Sequence, residues 1–498
     1  MRRVNSLSRQ ALFGVEATRR IEHAAQAALP PHTLMQRAGR AVAQLALALA
    51  PHARHIWIAC GPGNNGGDGL EAALHLQHWG KSPVVTWLGH PDTTPPDAAA
   101  SYQRAIKAGV RFAETPPQDY DVCIDALLGI GAQTRAPEGR MAQWISLMNR
   151  SSALVLAVDV PTGLQADTGH AAPCCVQADH TLSLLTLKPG LFTADGRDAA
   201  GIIWLDSLEK AQHTPQDQAE NINPTAWLAG CPQTTVRRHA SHKGSYGDVA
   251  VIGGAAGMTG AALLAASAAL HAGAGRVFVG LLDGDTLNVN ICQPELMFRS
   301  PLALDVSAMT AVCGCGGGAA ITDQLPKLLS TSARIVIDAD AINAIAVNEQ
   351  LKNLLNARSQ RPAPTVLTPH PLEASRLLGI SVTQVQQDRL AAAQQLAQRF
   401  GCVVVLKGSG TVIAVPGDIP IINPTGNARL ASAGTGDVLA GMIGARLAAG
   451  QTALQAACDA VYLHGLLAEQ WPVGQPLTAG ELAKCYTSNS TNINKYAG

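Results

Sequence analysis

The chain has 498 residues, with 36 basic and 36 acidic side chains, 48 glycines and 11 cysteines. At roughly 100–200 residues per domain this length implies two to four domains, each able to bury its own core. Charged residues make up 14%, against about 25% in an ordinary soluble protein, which argues against intrinsic disorder. A formal net charge of zero removes the basic field of a nucleic-acid binder, so nucleic acid is excluded as a partner.

The first residues, MRRVNSLSRQALFGVEATRRIE, contain arginines but no apolar run, and Glu16 and Glu22 follow soon after. They do not read as a secretory signal; a short organellar presequence is the alternative. The cysteines are odd in number and form no C-x-x-C pair, so a zinc knuckle or thioredoxin-like site is not indicated and a reduced, cytoplasmic protein is expected. Two helical stretches, about 8–29 and 31–50, precede a series of short apolar, β-branched runs at 55–60, 82–89, 120–129 and 152–160. Helical patterns at 70–79 and 98–107 alternate with them, which implies a parallel sheet covered on both faces.

After the run 55–60 comes GPGNNGGDGLEAALHL. Gly61, Gly63 and Gly66 satisfy G-x-G-x-x-G, but no acid closes the following strand to hold a ribose. Asp68 is expected where the helix begins, where a carboxylate would cap the amides and repel a pyrophosphate. A tight turn with a helix cap is one reading. The other is a polar ligand site, favoured by the paired amides Asn64 and Asn65. Asp125 and Asp159 stand at the ends of the next two apolar runs, the second ahead of PTGL. Strand ends of a parallel sheet line one crevice, so Asn65, Asp125 and the Thr162 hydroxyl are expected to converge with oxygens suited to a hard cation or a polar substrate. GIGAQTR (129–135) adds an amide-rich loop on the same edge.

GPGNNGGDG, DALLGIG and VDVPTGL together resemble the N-terminal domain of the bacterial two-domain repair enzymes for hydrated nicotinamide cofactors. The resemblance implies an NAD(P)HX epimerase that interconverts the R and S forms. It also implies that Asn64, Asn65, Gly66, Gly67 and Asp68, with Gly129, Ile130, Gly131, Ala132, Gln133, Thr134 and Arg135, hold the substrate. Asp159 would lie at the reacting ring and act in catalysis, and Asn65, Asp125 and Thr162 would bind K+. Ile130 departs from the pattern, which often has a hydroxyl residue there.

Residues 206–236 are rich in Gln, Pro, Asn and Thr and read as a linker between domains at 1–210 and 237–498. Between Asp248 and Arg276 no Asp, Glu, Lys or Arg occurs, a stretch long enough to span a bilayer. The glycines at 253, 254, 257 and 260 divide it, and strand, glycine loop and buried helix is the better reading, so no membrane partner is expected. Further runs at TAVCGCGGG, ARIVIDAD, PTVLTPH and CVVVLKGSGTVIAV lead to a helix near Gly434. In ASAGTGDVLAG, backbone amides around Gly434–Gly436 can converge on a phosphoryl oxygen at a helix start, and Asp437 is placed to take a proton from an attacking hydroxyl. A cap with packing glycines is the plainer alternative. For KGSGT (407–411) a nucleotide border and a simple turn are both open, and His370 is either a structural or a crevice-facing histidine. No Walker A pattern occurs.

The order SHKGSYGDVAVIGG, LTPHPLEASRLLG, VLKGSGT, SAGTGDVLAG is similar to the ribokinase-like NAD(P)HX dehydratases. The resemblance implies that ADP, with Mg2+, drives dehydration of the S form through a phosphorylated intermediate. Lys407, Gly408, Ser409, Gly410, Thr411 and Gly436 would hold the nucleotide, and Ala261, Gly316, His370 and Asp437 the hydrated cofactor. Cys315 stands where the family commonly has a proline, a departure that bears on the loop's rigidity and on the role of Gly316. Two α/β domains, Rossmann-like then ribokinase-like, are thus expected, in a homo-oligomer. The alternative is a ribokinase-type small-molecule kinase fused to a non-catalytic ligand-binding or scaffold domain.

Overall fold

The computed structural model describes residues 1–131, 136–208, 222–233, 238–284 and 286–485. It divides into two compact units, one of residues 1–5 and 11–226, the other of residues 6–10 and 227–498.

The first unit is built on a sheet ordered Arg2–Arg3, Ile202–Asp206, His180–Leu184, Leu154–Val158, Val122–Ala126, His55–Cys60, Ser82–Trp87, Arg111–Phe112. All neighbours are parallel except the first pair. Because side chains alternate across a strand, Ile56, Ile58 and Cys60 enter a core with the helices Thr33–Leu49 and Asn64–His78. Trp57 and Ala59 enter the opposite core with Trp144, Ile145 and Met148 of the helix Gly139–Arg150. From His55–Cys60 the chain goes first to Ser82–Trp87 on one side and later to Val122–Ala126 on the other. That reversal opens a crevice at the carboxyl ends of the two central strands. Gly61 is required there, since a Cβ would lie 1.7 Å from the Leu127 carbonyl oxygen.

Several elements differ from the sequence-based expectation. The first two helices are shorter, Val15–Ala27 and Thr33–Leu49, and Gln10–Leu12 is a strand. Most of the expected glycine loop is helix, which begins at Asn64 after an N-cap at Gly63. Asp68 therefore sits in the helix and does not cap it. The strand His180–Leu184 carries no plain apolar signal, because the buried Thr181 and Ser183 donate hydrogen bonds to the carbonyls of Ala200 (2.7 Å) and Thr186 (2.8 Å); the apolar run of Ile202–Asp206 is a further strand beyond those expected. Within the expected linker, Ala226–Leu228 is a strand, and Trp227 and Leu228 pair in parallel with Ile421 and Ile422.

In the second unit, parallel strands run in the order Met297–Phe298, Arg276–Leu282, Asp248–Ala255, Thr310–Cys313, Arg334–Ile337, Thr365–Leu367, Val403–Leu406. Val412–Ala414 and Ile421–Ile422 then add antiparallel. Asp248–Ala255 is this unit's reversal point, with Arg276–Leu282 on one side and Thr310–Cys313 on the other. The uncharged stretch folds as this strand and the helix Thr259–His271, which is apolar on most sides because it packs against the helix Thr435–Ala448. Gly441 permits that approach: its Cβ would lie 2.0 Å from the Ala265 carbonyl oxygen. The chain continues past the last expected helix into Ala453–Glu469 and Ala479–Lys484. Among the described residues no helix is long and apolar enough to cross a membrane.

Candidate active sites

At the reversal point of the first unit lies a cavity of about 470 Å³, lined among others by Asn64, Asn65, Asp68, Asp159, Lys188 and the backbone turn Gly129–Gly131. Seven expected site residues, Asn64, Asn65, Asp68, Gly129, Ile130, Gly131 and Asp159, thus share one wall system. Gly66 and Gly67 stand behind it. A Cβ at Gly66 would lie 2.0 Å from the Gly61 carbonyl oxygen, and one at Gly67 would lie 2.6 Å from the Met35 sulfur. They let the helix approach its neighbours closely, while its first amides, uncapped by any side chain, face the crevice. Ala132, Gln133, Thr134 and Arg135 lie outside the described residues.

Asp159 has φ +69°, a left-handed backbone that costs a non-glycine residue about 1–2 kcal/mol. Its surroundings hold it there. The backbone N–H donates to the Leu182 carbonyl (2.8 Å), and the carboxylate accepts from the amides of Ile130 and Leu184, both at 3.4 Å. The strongest partner is Lys188, whose ammonium is ion-paired with Asp159 and is 0% exposed. Its ammonium also lies within hydrogen-bond distance of Ser183 Oγ (3.2 Å) and the carbonyls of Leu184 (2.8 Å) and Thr186 (3.0 Å), acceptors that share its protons. The sequence reading missed Lys188. The signal was present: it is the one charged residue between His180 and Phe192, a stretch that packs inside.

Asp125 and Thr162 meet below the cavity. Asp125 accepts from Thr162 Oγ1 (2.7 Å) and from the backbone amides of Thr162 (2.8 Å) and Leu127 (3.2 Å), and the Thr162 hydroxyl accepts from Leu128 N (3.0 Å). They position the Gly129–Gly131 turn that leaves this strand end. Burial pushes the Asp125 carboxyl up to about 6, against the pull of those hydrogen bonds. Asn65 lies against the turn: a Cβ at Gly129 would be 3.0 Å from Asn65 Oδ1. Its buried Nδ2 has no hydrogen-bond partner among the described residues.

In the second unit, Gly434 is the N-cap of Thr435–Ala448 with φ +88° and no side-chain cap, so the first-turn amides are open. Below, Thr435 Oγ1 donates to the carbonyls of Leu430 (2.8 Å) and Ser432 (2.9 Å). The His464 Nε2–H donates to the Thr435 carbonyl (2.9 Å), and burial pushes that imidazole down to about 4. Asp437, in the first turn, meets Asp338 and the thiol of Cys315: one atom of each lies within 4.8 Å of the others. Burial, then the Asp338 charge, raises Asp437 to about 6.

Lys407 does not stand free in its loop. It is ion-paired with Asp338 (2.6 Å), and a Cβ at Gly436 would be 3.4 Å from its Nζ. Burial lowers its affinity for a proton, yet Asp338 and Glu373 outweigh that and hold it above the ordinary lysine value. KGSGT and GTGD therefore border one site. Gly408, at φ +137°, rests on Arg389; a Cβ would be 2.9 Å from the guanidinium, which donates to the carbonyls of Leu406 and Lys407, both at 3.1 Å. Ser409 is exposed, Gly410 is buried with φ +59°, and Thr411 Oγ1 donates to the Gly408 carbonyl (3.1 Å).

His370 is the N-cap of Pro371–Leu378: its Nδ1 accepts from the amides of Leu372 (3.1 Å) and Glu373 (3.3 Å), and Glu373 accepts from His370 N (2.8 Å). The ring remains 44% exposed. Burial pushes Glu373 up to about 7. Ala261 and Gly316 meet, with a Cβ at Gly316 falling 2.9 Å from that of Ala261. The Cys315 loop is not loosened by its missing proline. Gly254 N donates to the Cys315 carbonyl (2.9 Å), Ala255 N to the Gly316 carbonyl (2.7 Å) and Gly318 N to Asp340 (2.8 Å), fixing it from two sides. Asp338 was also missed, although it ends the run ARIVI as Asp125 and Asp159 end theirs.

Residues 31–190 match the family model described as YjeF-related protein N-terminus, and residues 249–486 the one described as NAD(P)H-hydrate dehydratase. The bifunctional NAD(P)H-hydrate repair enzyme of Escherichia coli (strain K12) is 37% identical over 454 residues, 88% of this chain and 85% of that protein. Its counterpart in Coxiella burnetii is 35% identical over 461 residues, 90% of this chain and 92% of that one. Among solved structures, an ADP/ATP-dependent NAD(P)H-hydrate dehydratase from Bacillus subtilis, co-crystallised with ATP/Mg2+, is 29% identical with a TM-score of 0.44, covering 52% of this chain and 94% of that chain. The chain belongs to the family of bifunctional NAD(P)H-hydrate repair enzymes.

Proposed function

We propose that the first unit epimerises R- and S-NAD(P)HX and that the second dehydrates the S form to NAD(P)H at the expense of ADP. The observation that carries this reading is the pairing of two unlike sites, each at the carboxyl ends of parallel strands. One encloses Asp159–Lys188 under an amide-rich turn; the other sets Asp437 at an open helix N-terminus beside Lys407–Asp338.

In the second unit the reading assigns Asp437 the proton of the 6-hydroxyl as its oxygen attacks the terminal phosphoryl group. The amides of Gly434–Gly436 meet the charge that develops on that group. Phosphate then leaves C6 as a C5 proton is lost, restoring the dihydropyridine. Lys407, Gly408, Ser409, Gly410, Thr411 and Gly436 border the nucleotide in this reading, and Ala261, Gly316 and His370 the hydrated cofactor. A Mg2+ ion would accompany the nucleotide as part of the substrate.

For the first unit the reading includes K+ at Asn65, Asp125 and Thr162. The donors fit a hard monovalent cation: Asp125 is a buried carboxylate whose hydrogen-bond donors among the described residues are all neutral, and Asn65 and Thr162 add neutral side-chain oxygens. When bound, the ion would neutralise Asp125 and stiffen the turn that follows it. Cysteines free of disulfides support a reduced, cytoplasmic setting, and assembly as a homo-oligomer is part of the same reading, checked by light scattering.

The test is recovery of NADH absorbance from an equilibrated R/S mixture of hydrated NADH with ADP. The reading expects complete recovery, because epimerisation feeds the dehydratase. Recovery of only the S fraction at an accelerated rate removes the epimerase, and a phosphorylated product without NADH returns the second unit to the small-molecule kinases.

A further inference from the structure

Epimerisation at C6 exchanges the face that carries the hydroxyl. One group on one side of the ring cannot both expel an oxygen there and deliver one to the other side. The chemistry therefore asks for a proton donor and a proton acceptor flanking the ring.

The cavity supplies two carboxyl groups on different walls. Asp159 ends the strand Leu154–Val158, and Asp68 rises on the helix that follows His55–Cys60. In the sheet, Val122–Ala126 lies between these two strands. Their ends are thus separated by two strand spacings, roughly 10 Å, with the Gly129–Gly131 turn between them. Both side chains line the cavity. They differ in partners. Asp159 is ion-paired with the buried Lys188. The Asp68 carboxyl has no hydrogen bond or ion pair among the described residues.

Resting on the epimerase reading, we propose that Asp68 is the proton donor of the first unit, with Asp159 as its complementary base. The Asp68 proton passes to the 6-hydroxyl oxygen as the C6–O bond breaks, and the bonding electrons leave with that oxygen as water. The N1 lone pair forms an N1=C6 double bond. A second water adds to the opposite face of C6, its electron pair forming the new bond as the N1=C6 π electrons return to N1, and Asp159 takes its proton. The two carboxyl groups have then exchanged protonation states. The reverse epimerisation, or exchange with water in the cavity, resets them.

The surroundings favour Asp68 as the protonated member. Burial comes first, then the charges of Asp159, Glu22, Glu71 and Asp97, which together raise its pKa well above the ordinary aspartate value. Of the neighbouring basic groups, Lys188 is ion-paired with Asp159, Arg104 with Glu71 (2.7 Å), and His32 is hydrogen-bonded to Asp97 (2.6 Å). Glu22, on the helix Val15–Ala27, lines the same cavity with Arg19 and His23, and the Cys60 thiol lies on the strand beneath. Such a split between two carboxyl groups is how one site runs acid and base chemistry together.

The experiment uses the full chain and hydrated NADH in water enriched in 18O. In the wild type, every inversion is expected to carry solvent oxygen into C6. Asp68→Asn is expected to lower kcat for epimerisation by about 10²–10⁴-fold with KM changed less than about threefold, and to remove the alkaline limb of the pH profile. Dehydration of the S form serves as the control for an intact chain. Glu22→Gln, which removes a charge that holds the Asp68 proton, is expected to move the alkaline limb to lower pH. The proposal is overturned by a wild-type kcat in Asp68→Asn, by a change confined to KM, by an unmoved limb in Glu22→Gln, or by inversion that retains the original oxygen. A wild-type chain that does not epimerise at all overturns the underlying reading as well.

Discussion

The two units solve the same topological problem with opposite charge arrangements. Each places its site at the carboxyl ends of parallel strands, and each needs glycine where two segments approach closely. In the first unit the cation is fully withdrawn: Lys188 sits inside the fold among Asp159, a hydroxyl and two carbonyls that share its protons. In the second, Lys407 stays at the rim of an uncapped helix N-terminus, balanced by Asp338. The difference follows the chemistry. Moving a hydroxyl between faces of a ring needs a poised donor and acceptor, whereas phosphoryl transfer needs fixed positive potential where charge develops.

The largest effect that separates the two sites is expected from Asp437→Ala. Dehydration should fall by about 10²–10⁴-fold while R-to-S equilibration keeps its rate; loss of both would contradict independent sites. Lys188→Met should act the other way round. It leaves Asp159 buried and unpaired, which costs about 3–5 kcal/mol, so epimerisation and the urea midpoint should drop while initial dehydration of pure S substrate persists.

The buried acids give a third contrast. Asp125 has a folded pKa of about 6 against an ordinary 3.8. A carboxyl raised on folding stabilises the fold at low pH, and that contribution, about 3 kcal/mol, is lost as pH rises from about 4 through about 6. Above pH 6 a bound K+ should restore part of it, so Tm is expected to rise with K+ at pH 8 and to lose that response in Asp125→Asn. Equal effects of K+ and Na+ would remove the ion from the reading. Asp437, also near 6, must be ionised to accept a proton, so dehydration should fall as pH drops below about 6. Asp338→Asn removes the charge that raises it and should carry that limb to lower pH. The smallest effect is expected at His370→Ala. Loss of the cap costs about 1 kcal/mol, and recovery of NADH should slow less than tenfold, since the ring is a half-exposed neighbour of the site.

The alternation of short apolar runs with helical patterns made both sheets legible, because buried parallel strands must be apolar on both faces. It failed at His180–Leu184, where buried hydroxyls satisfied by carbonyls imitate a polar loop. It failed again at NNGGDG, where small residues that suggest a turn are the first turns of a close-packed helix. Most site residues were legible where they stood in a motif or ended an apolar run, Asp338 being an exception. Lys188, Glu22 and Arg389 stand in neither.

The sequence by itself determined the two α/β units, the glycine-rich strand ends and the acids at those ends, because periodicity, turn chemistry and short motifs are local properties of the chain. The tertiary structure alone decided which charges meet. It joined Lys188 to Asp159 and Lys407 to Asp338, and left Asp68 without a partner among the described residues. Those relations span dozens of residues, and burial sets their strength; no spacing along the chain encodes either.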